Sequence, residues 1–201
     1  MKVLVVSEGK HEQAGALENL LRQFGADRAE LAHDRLASNR IHVHHGKGGK
    51  LFKRAVRWIK EADKRGADAL VLLVDEDGES ERRTQISEAQ CSSLSLLPRA
   101  MGVAIRSFDA WMLADERALS EVLGCTVSRQ PDPEPIRDPK AVCASLLEGG
   151  QNRMAQREMY ARVADRIDIQ VLLSRCPCGF RPFAERVKRL FGQAPSPSAV
   201  G

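Results

Sequence analysis

Carboxylates stand where two short apolar runs of this chain end, and residue types in that placement suggest metal chemistry. Val3-Leu4-Val5-Val6 leads into Ser7-Glu8-Gly9-Lys10-His11-Glu12, and Ala69-Leu70-Val71-Leu72-Leu73-Val74 leads into Asp75-Glu76-Asp77-Gly78. Each run has the length and branched-aliphatic content of a strand buried on both faces, as parallel strands of α/β proteins read. Open α/β sheets carry their sites at the carboxyl ends of strands. Glu8, Asp75 and Asp77 gathered there would repel: two like charges ~4 Å apart cost roughly 4 kcal/mol at an effective dielectric of about 20. A divalent cation reverses that sign, and oxygen-only ligands suit Mg²⁺ or Mn²⁺. Alternation along an extended segment points Asp75 and Asp77 one way and Glu76 the other. Glu12 is expected in the first turn of a helix, where the helix dipole favours a carboxylate.

The elements that must position these acids alternate along the chain. Strand one, about 2–7, gives way at Gly9 to a helix carrying Ala16, Leu17, Leu20, Leu21 and Phe24 and closed by Gly25. A second strand is expected at 40–44, a second helix at 50–65, and a third strand ends at Asp75. A helix around 84–97 carries Ile86, Leu94 and Leu97, and Gly102–Arg106 reads as a fourth strand running into Phe108-Asp109-Ala110-Trp111. Strands alternating with helices imply a parallel sheet with right-handed crossovers. The fold class is therefore α/β: about four parallel strands flanked by helices, over residues 1–124. A Pro-rich linker (125–138, with Pro131, Pro133 and Pro135) interrupts the pattern. Helical patterns follow over 139–192 (139–147, about 153–174 and 182–191), then a small-residue, Pro-rich tail over 193–201 that reads as disordered.

Composition narrows the class. The formal net charge of +4 permits a polyanionic partner without requiring one. The five cysteines (Cys91, Cys125, Cys143, Cys176, Cys178) are odd in number and scattered, which argues against a disulfide framework and for a reducing compartment. No apolar run approaches membrane-spanning length and the start lacks a signal-peptide pattern, so the expectation is a soluble cytoplasmic protein with no membrane partner.

The ordered pair Glu8-Gly9-x-x-Glu12 and Asp75-Glu76-Asp77-Gly78 resembles the TOPRIM domain shared by DNA primases, topoisomerases, recombination-mediator proteins and the overcoming-lysogenization-defect nucleases. Asp109-Ala110-Trp111-Met112-Leu113-Ala114-Asp115, Asp138-Pro139-Lys140, Tyr160 and Cys176-Pro177-Cys178-Gly179-Phe180-Arg181-Pro182-Phe183 are similar to an uncharacterised bacterial family of small stand-alone TOPRIM-like proteins. The likeness covers about residues 1–191. Where that family would carry Glu before the Ala-Trp pair, this chain has Asp109. The resemblance implies a TOPRIM-like fold in which Glu8 is a general acid/base or metal ligand. It also implies that Asp75 and Asp77 hold Mg²⁺ (or Mn²⁺) against a phosphodiester, with Glu12 and Asp109 completing a site for one or two ions. The activity implied is Mg²⁺-dependent cleavage of DNA or RNA, in defence against phages or plasmids. The alternative is a non-catalytic or partner-dependent subunit working with an ATPase, and relatives acting in larger assemblies suggest a homo-oligomer as well. A receiver-like phosphoacceptor role for Asp75 ranks far below both, lacking a paired acid beside the strand-one acid.

Basic residues supply a candidate nucleic-acid surface: Lys10, Lys47, Lys50, Lys53, Arg54 and Arg57, with Lys60 and Lys64 continuing the stripe. On a helix, residues 50, 53, 54, 57, 60 and 64 share one face, opposite Leu51, Ala55, Trp58, Ile59 and Ala62. Such a stripe is usually only a solvated face; beside the acids, with Gly46, Gly48 and Gly49 admitting backbone amides, it would hold phosphates. The loop lacks the full Walker signature. His42, His44 and His45 read as strand-edge or substrate-contacting histidines rather than metal ligands. Cys176-Pro177-Cys178 lacks a second pair for zinc and reads as a helix cap aiming Phe180 and Phe183 into the core. Trp111 reads as a core anchor, and Asp115 and Asp165–Asp168 as helix-surface acids.

Overall fold

A computed structural model describes residues 1–9, 12–37 and 49–192. Four strands, β1 (Lys2–Ser7), β2 (Glu30–Arg35), β3 (Ala69–Asp75) and β4 (Arg99–Ala104), form one all-parallel sheet in the order β2-β1-β3-β4. The chain moves outward from β1 to β2 and then returns past β1 to β3. The order of winding therefore reverses between β1 and β3, and a crevice at their carboxyl ends follows from that reversal. Glu8 and Asp75 sit at that crevice, as the apolar runs before them foretell.

Period-two alternation divides the buried side chains between two faces. Val3, Val5, Ala69, Val71, Leu73 and Ala100 face one apolar cluster, and Leu4, Val6, Leu70, Leu72, Val74 and Met101 face the other. The second cluster is closed by α2 (Lys50–Lys64) through Ala55, Trp58, Ile59 and Ala62, and by α3 (Glu81–Gln90) through Ile86 and Ala89. The first is the larger. It takes in α1 (Leu17–Arg22), α4 (Phe108–Met112), α5 (Glu116–Leu123), α6 (Pro139–Gly149), α7 (Gln156–Arg166), α8 (Ile169–Arg175) and α9 (Phe180–Gly192). The helices beyond the Pro-rich segment thus share one core with the sheet.

Helix α9 lies across β4, where Gly102 offers no side chain. A Cβ there would meet Phe183 Cδ2 at 2.5 Å, and Arg186 Nη1 donates to Met101 O at 2.6 Å. Trp111 is the hub beneath it, edge-on to Phe180 at 5.0 Å and stacked on Phe183 at 5.8 Å. Phe180 and Phe183 are buried after the Cys176–Cys178 turn, whose Cys176 caps α8, as the sequence leads one to expect.

Several boundaries differ from expectation. The second strand expected at 40–44 lies outside the described residues; β2 instead runs over Glu30-Leu31-Ala32-His33-Asp34-Arg35, an edge strand without β-branched residues and only half buried. β4 starts three residues earlier than expected and stops at Ala104, because Arg106 takes a left-handed conformation (φ 62°). α3 ends at Gln90, ahead of the Ser92, Ser93 and Pro98 that cannot prolong it, so Leu94 is exposed rather than helical core. Glu12 opens a π-type turn (Glu12–Ala16) broken at Gly15 (φ 106°) instead of a regular helical turn. The expected 153–174 helix is divided into α7 and α8 by the Asp168 cap. The expected tail, 193–201, lies outside the described residues.

Candidate active site at the carboxyl end of the sheet

Glu8 follows β1 directly and is held by two elements. Its Oε2 accepts the Asp75 N–H at 3.2 Å, and both its oxygens accept from Arg82 Nη2 at 2.7 and 2.8 Å. The other terminal nitrogen of Arg82 donates to Asp77 Oδ2 at 3.0 Å. Arg82 is thus a nearly buried guanidinium spanning the ends of β1 and β3, and a fork of this shape is suited to bridging two carboxylates. The charged run Glu79–Arg83 reads in sequence as a loop; only its place in the first turn after Asp-x-Asp-Gly hints at this role.

Asp77 owes its direction to backbone strain. It is left-handed (φ 52°), Gly78 after it is too (φ 78°), and the Asp77 N–H donates to the carbonyl of left-handed Arg106 at 3.0 Å. A left-handed non-glycine residue costs about 1–2 kcal/mol, least for Asp. Two such residues clasped at the ends of β3 and β4 bring the Asp77 and Arg106 side chains to the lining of one shared cavity. Glu76 departs to the other side, as alternation requires, and pairs with Arg83 at 2.7 Å.

Asp75 accepts the Phe108 N–H at 2.8 Å. Its carboxyl is pushed up to about 8, first by burial and then by repulsion from Glu12; the Phe108 hydrogen bond opposes the rise, and Asp77 and Asp109 add to it. Glu12 is buried and also raised, chiefly by burial, although the N–H groups of Glu12 and Gly9 work against it and Asp109 and Glu8 with it. Asp109 is buried at the start of α4. Ser107 Oγ donates to its Oδ2 at 2.8 Å, the Tyr160 hydroxyl donates to its Oδ1, and Gln156 Nε2 donates to Tyr160 at 2.7 Å. Burial is the main cause that raises the Tyr160 hydroxyl, which stays protonated as the donor.

The five acids singled out in sequence therefore lie near the carboxyl ends of β1 and β3, where Glu12 feels the charge of Asp109 and Glu8, and Asp75 that of Glu12, Asp77 and Asp109. Their donor set is oxygen alone, which fits a hard divalent cation. As they stand, no three His, Cys, Asp or Glu side chains converge closely enough to hold an ion among the described residues. The Arg82 bridge, which engages Glu8 and Asp77, is one physical reason.

Two cavities open on the acids and meet at Asp77. One, of about 320 Å³, joins Glu8, Asp77 and Arg82 to Lys50, Arg54 and Gln85. The other, of about 360 Å³, sets Asp75, Asp77 and Asp109 against Arg106, Arg137 and Lys140. Of the basic stripe on α2, Lys50 and Arg54 line the first cavity; Lys53, Arg57, Lys60 and Lys64 continue along the helix away from it. Lys10, Lys47 and the three histidines at 42, 44 and 45 lie outside the described residues. A larger cavity, about 580 Å³ beyond Arg106, holds Glu76, Glu134 and Arg175 and none of the five acids.

Two residues read as ordinary surface acids have structural work. Asp115 is buried, caps α5 through the Arg117 and Ala118 N–H groups, and accepts the Asp168 N–H at 2.9 Å. Asp168 in turn caps α8. All five cysteines are free, and no described helix is long and apolar enough to cross a membrane.

The model of a family described as a domain of unknown function (DUF4276) matches residues 7–188. No curated protein and no solved structure matches the chain.

Proposed function

The chain belongs to the DUF4276 family, and we propose that it is a Mg²⁺- or Mn²⁺-dependent enzyme of TOPRIM-like type that cleaves phosphodiester bonds in DNA or RNA. One observation carries the reading: Asp75 ends β3 at the reversal point of a parallel sheet, near enough to Glu12, Asp77 and Asp109 that their charge, added to burial, pushes its carboxyl up to about 8. Mutually repelling carboxylates suit a divalent cation, and strongly perturbed acids in a cleft mark functional sites. A bound cation would supply Lewis-acid polarisation of a phosphoryl oxygen. Asp75, Asp109 and Glu12 are the residues that would hold it. Glu8, fixed by the Asp75 N–H and Arg82, would carry a proton to or from the reacting group. Asp77 would add a further ligand if Arg82 released it, and the Tyr160 hydroxyl would hold Asp109 in position for the cation.

The test is cleavage of plasmid, linear duplex, single-stranded DNA and RNA in Mg²⁺, Mn²⁺ or EDTA, with Asp75→Asn and Asp77→Asn alongside. Asn tolerates the left-handed region well, so Asp77→Asn keeps the turn while removing the charge. Metal-dependent cleavage by the wild type alone supports the proposal; equal cleavage by the variants overturns it.

A second reading rests on the Arg82 bridge and the absence of three convergent ligands among the described residues. The site would then be completed only when a partner, such as an ATPase subunit, draws Arg82 away. Metal binding without cleavage by the isolated chain favours this reading over the first.

A further inference from the structure

Three cations line the 360 Å³ cavity together with Asp75, Asp77 and Asp109, and none of the three has a side-chain partner among the described residues. Arg106, Arg137 and Lys140 form no ion pair and donate no side-chain hydrogen bond among the described residues. The arginines of α3 behave differently: Arg82 and Arg83 are both paired with carboxylates. All three are exposed, but each starts from fixed backbone. Arg106 is clasped to Asp77 in a left-handed conformation. Arg137 and Lys140 flank Asp138, which caps α6 by accepting the Ala141 N–H at 2.9 Å, with buried Pro139 opening the helix. The cavity is thus lined by the acids Asp75, Asp77 and Asp109, by the helix-capping Asp138, and by three cations held on fixed backbone.

We propose that Arg106, Arg137 and Lys140 form a phosphate-binding subsite, separate from the α2 stripe, that grips a phosphate group next to the one at the acids. Guanidinium groups bind phosphate oxygens bidentately and lysine adds a mobile point charge. Because the two cavities meet at Asp77, a strand crossing Lys50 and Arg54 passes the acids before a later phosphate reaches the α6 side. The subsite rests on the phosphodiester reading for its substrate, a polynucleotide strand, but its phosphate chemistry stands without it.

The experiment uses the full chain in EDTA, with a short labelled single strand of DNA or RNA followed by anisotropy and pyrophosphate followed by calorimetry. Arg137→Gln/Lys140→Gln is compared with Lys50→Gln/Arg54→Gln, and Arg137→Lys/Lys140→Arg controls for folding. The expected result is about a tenfold or greater loss of strand binding in the α6 pair, alike for different sequences, with recovery in the conservative pair. The slope of log affinity against log salt should fall by roughly 0.7 for each phosphate that the variant no longer neutralises. Strand binding that survives in the α6 pair but not in the α2 pair overturns the subsite and leaves the nuclease reading intact. Pyrophosphate binding by the wild type that the α6 pair loses, without strand binding, upholds the subsite and removes the polynucleotide. Binding of neither probe overturns the subsite.

Discussion

Asp75 makes stability depend on pH in the direction opposite to that of a salt-bridged carboxylate. Its carboxyl stands at about 8 in the fold against 3.8 ordinarily. Between those values the folded chain keeps a proton that the unfolded chain has lost, so stability falls as pH rises through that window. Glu12, also raised, adds in the same direction. Asp75→Asn keeps an acceptor for the Phe108 N–H and has no proton to lose. The variant should melt above the wild type at pH 8, by on the order of a few kcal/mol, and the two should converge near pH 4. Parallel melting curves across that range would show that Asp75 carries no such charge. Mg²⁺ at pH 8 should narrow the gap by stabilising only the wild type, with proton release seen in calorimetry. Tyr160→Phe leaves Asp109 Oδ1 and Gln156 without their hydroxyl partner; loss of a buried hydrogen bond of this kind costs about 1–3 kcal/mol. A urea midpoint that does not fall would show the hydroxyl to be dispensable. The acids are legible in sequence because each follows an apolar run directly. Arg82 is not, since its partner Glu8 lies 74 residues away, and the strain at Asp77 and Arg106 belongs to a contact between strand ends that no local pattern encodes.

Elements hold these residues by close approach more than by propensity, and the contact of α9 with β4 is the clearest case. At Gly102 an added methyl meets the Cδ2, Cγ and Cβ atoms of Phe183 at 2.5, 2.8 and 2.9 Å. That is the ring and its stem, packed in turn on Trp111, so little can yield. Gly102→Ala should therefore destabilise by about 1–3 kcal/mol as an overpacked core does, read as a lower midpoint with an unchanged denaturant slope. Leu96→Ser, at a side chain 99% exposed, should leave the midpoint unchanged. An unaltered midpoint for Gly102→Ala would mean that α9 can lift from β4. Legibility follows the same physics. β1 and β3 are buried on both faces and read as unbroken apolar runs; α2 reads from its two-faced pattern. β2 is an edge strand whose half-exposed Glu30, His33, Asp34 and Arg35 carry no strand signal. The end of α3 misleads because Leu94 and Leu97 happen to keep helical spacing through a serine-rich loop that the backbone does not follow.

At the scale of the molecule, the question is whether the helices after the Pro-rich segment are an appendage or part of one cooperative unit. Sequence composition changes there, which is why a boundary is expected, but composition does not say what a helix packs against. Tyr160 of α7 reaches Asp109, Arg175 of α8 donates to Ala114 O and Glu116, and Phe180 and Phe183 of α9 close over Trp111. The acids are thus positioned partly by the last third of the chain. The two tryptophans offer a direct test, because Trp58 is buried on one face of the sheet and Trp111 on the other. Trp111→Phe leaves Trp58 as the reporter of the α2 side, and Trp58→Phe leaves Trp111 as the reporter of the helical side. Each substitution lowers stability, so each reporter is compared with the circular dichroism of its own variant. One cooperative unit requires the fluorescence and dichroism transitions to coincide in both variants, with the same midpoint and slope. An early Trp111 transition, ahead of loss of the remaining secondary structure, would mean that the helical layer leaves first. Asp109 would then lose its hold from Tyr160 while the sheet still stands, and any stabilisation by added Mg²⁺ should vanish with that first step.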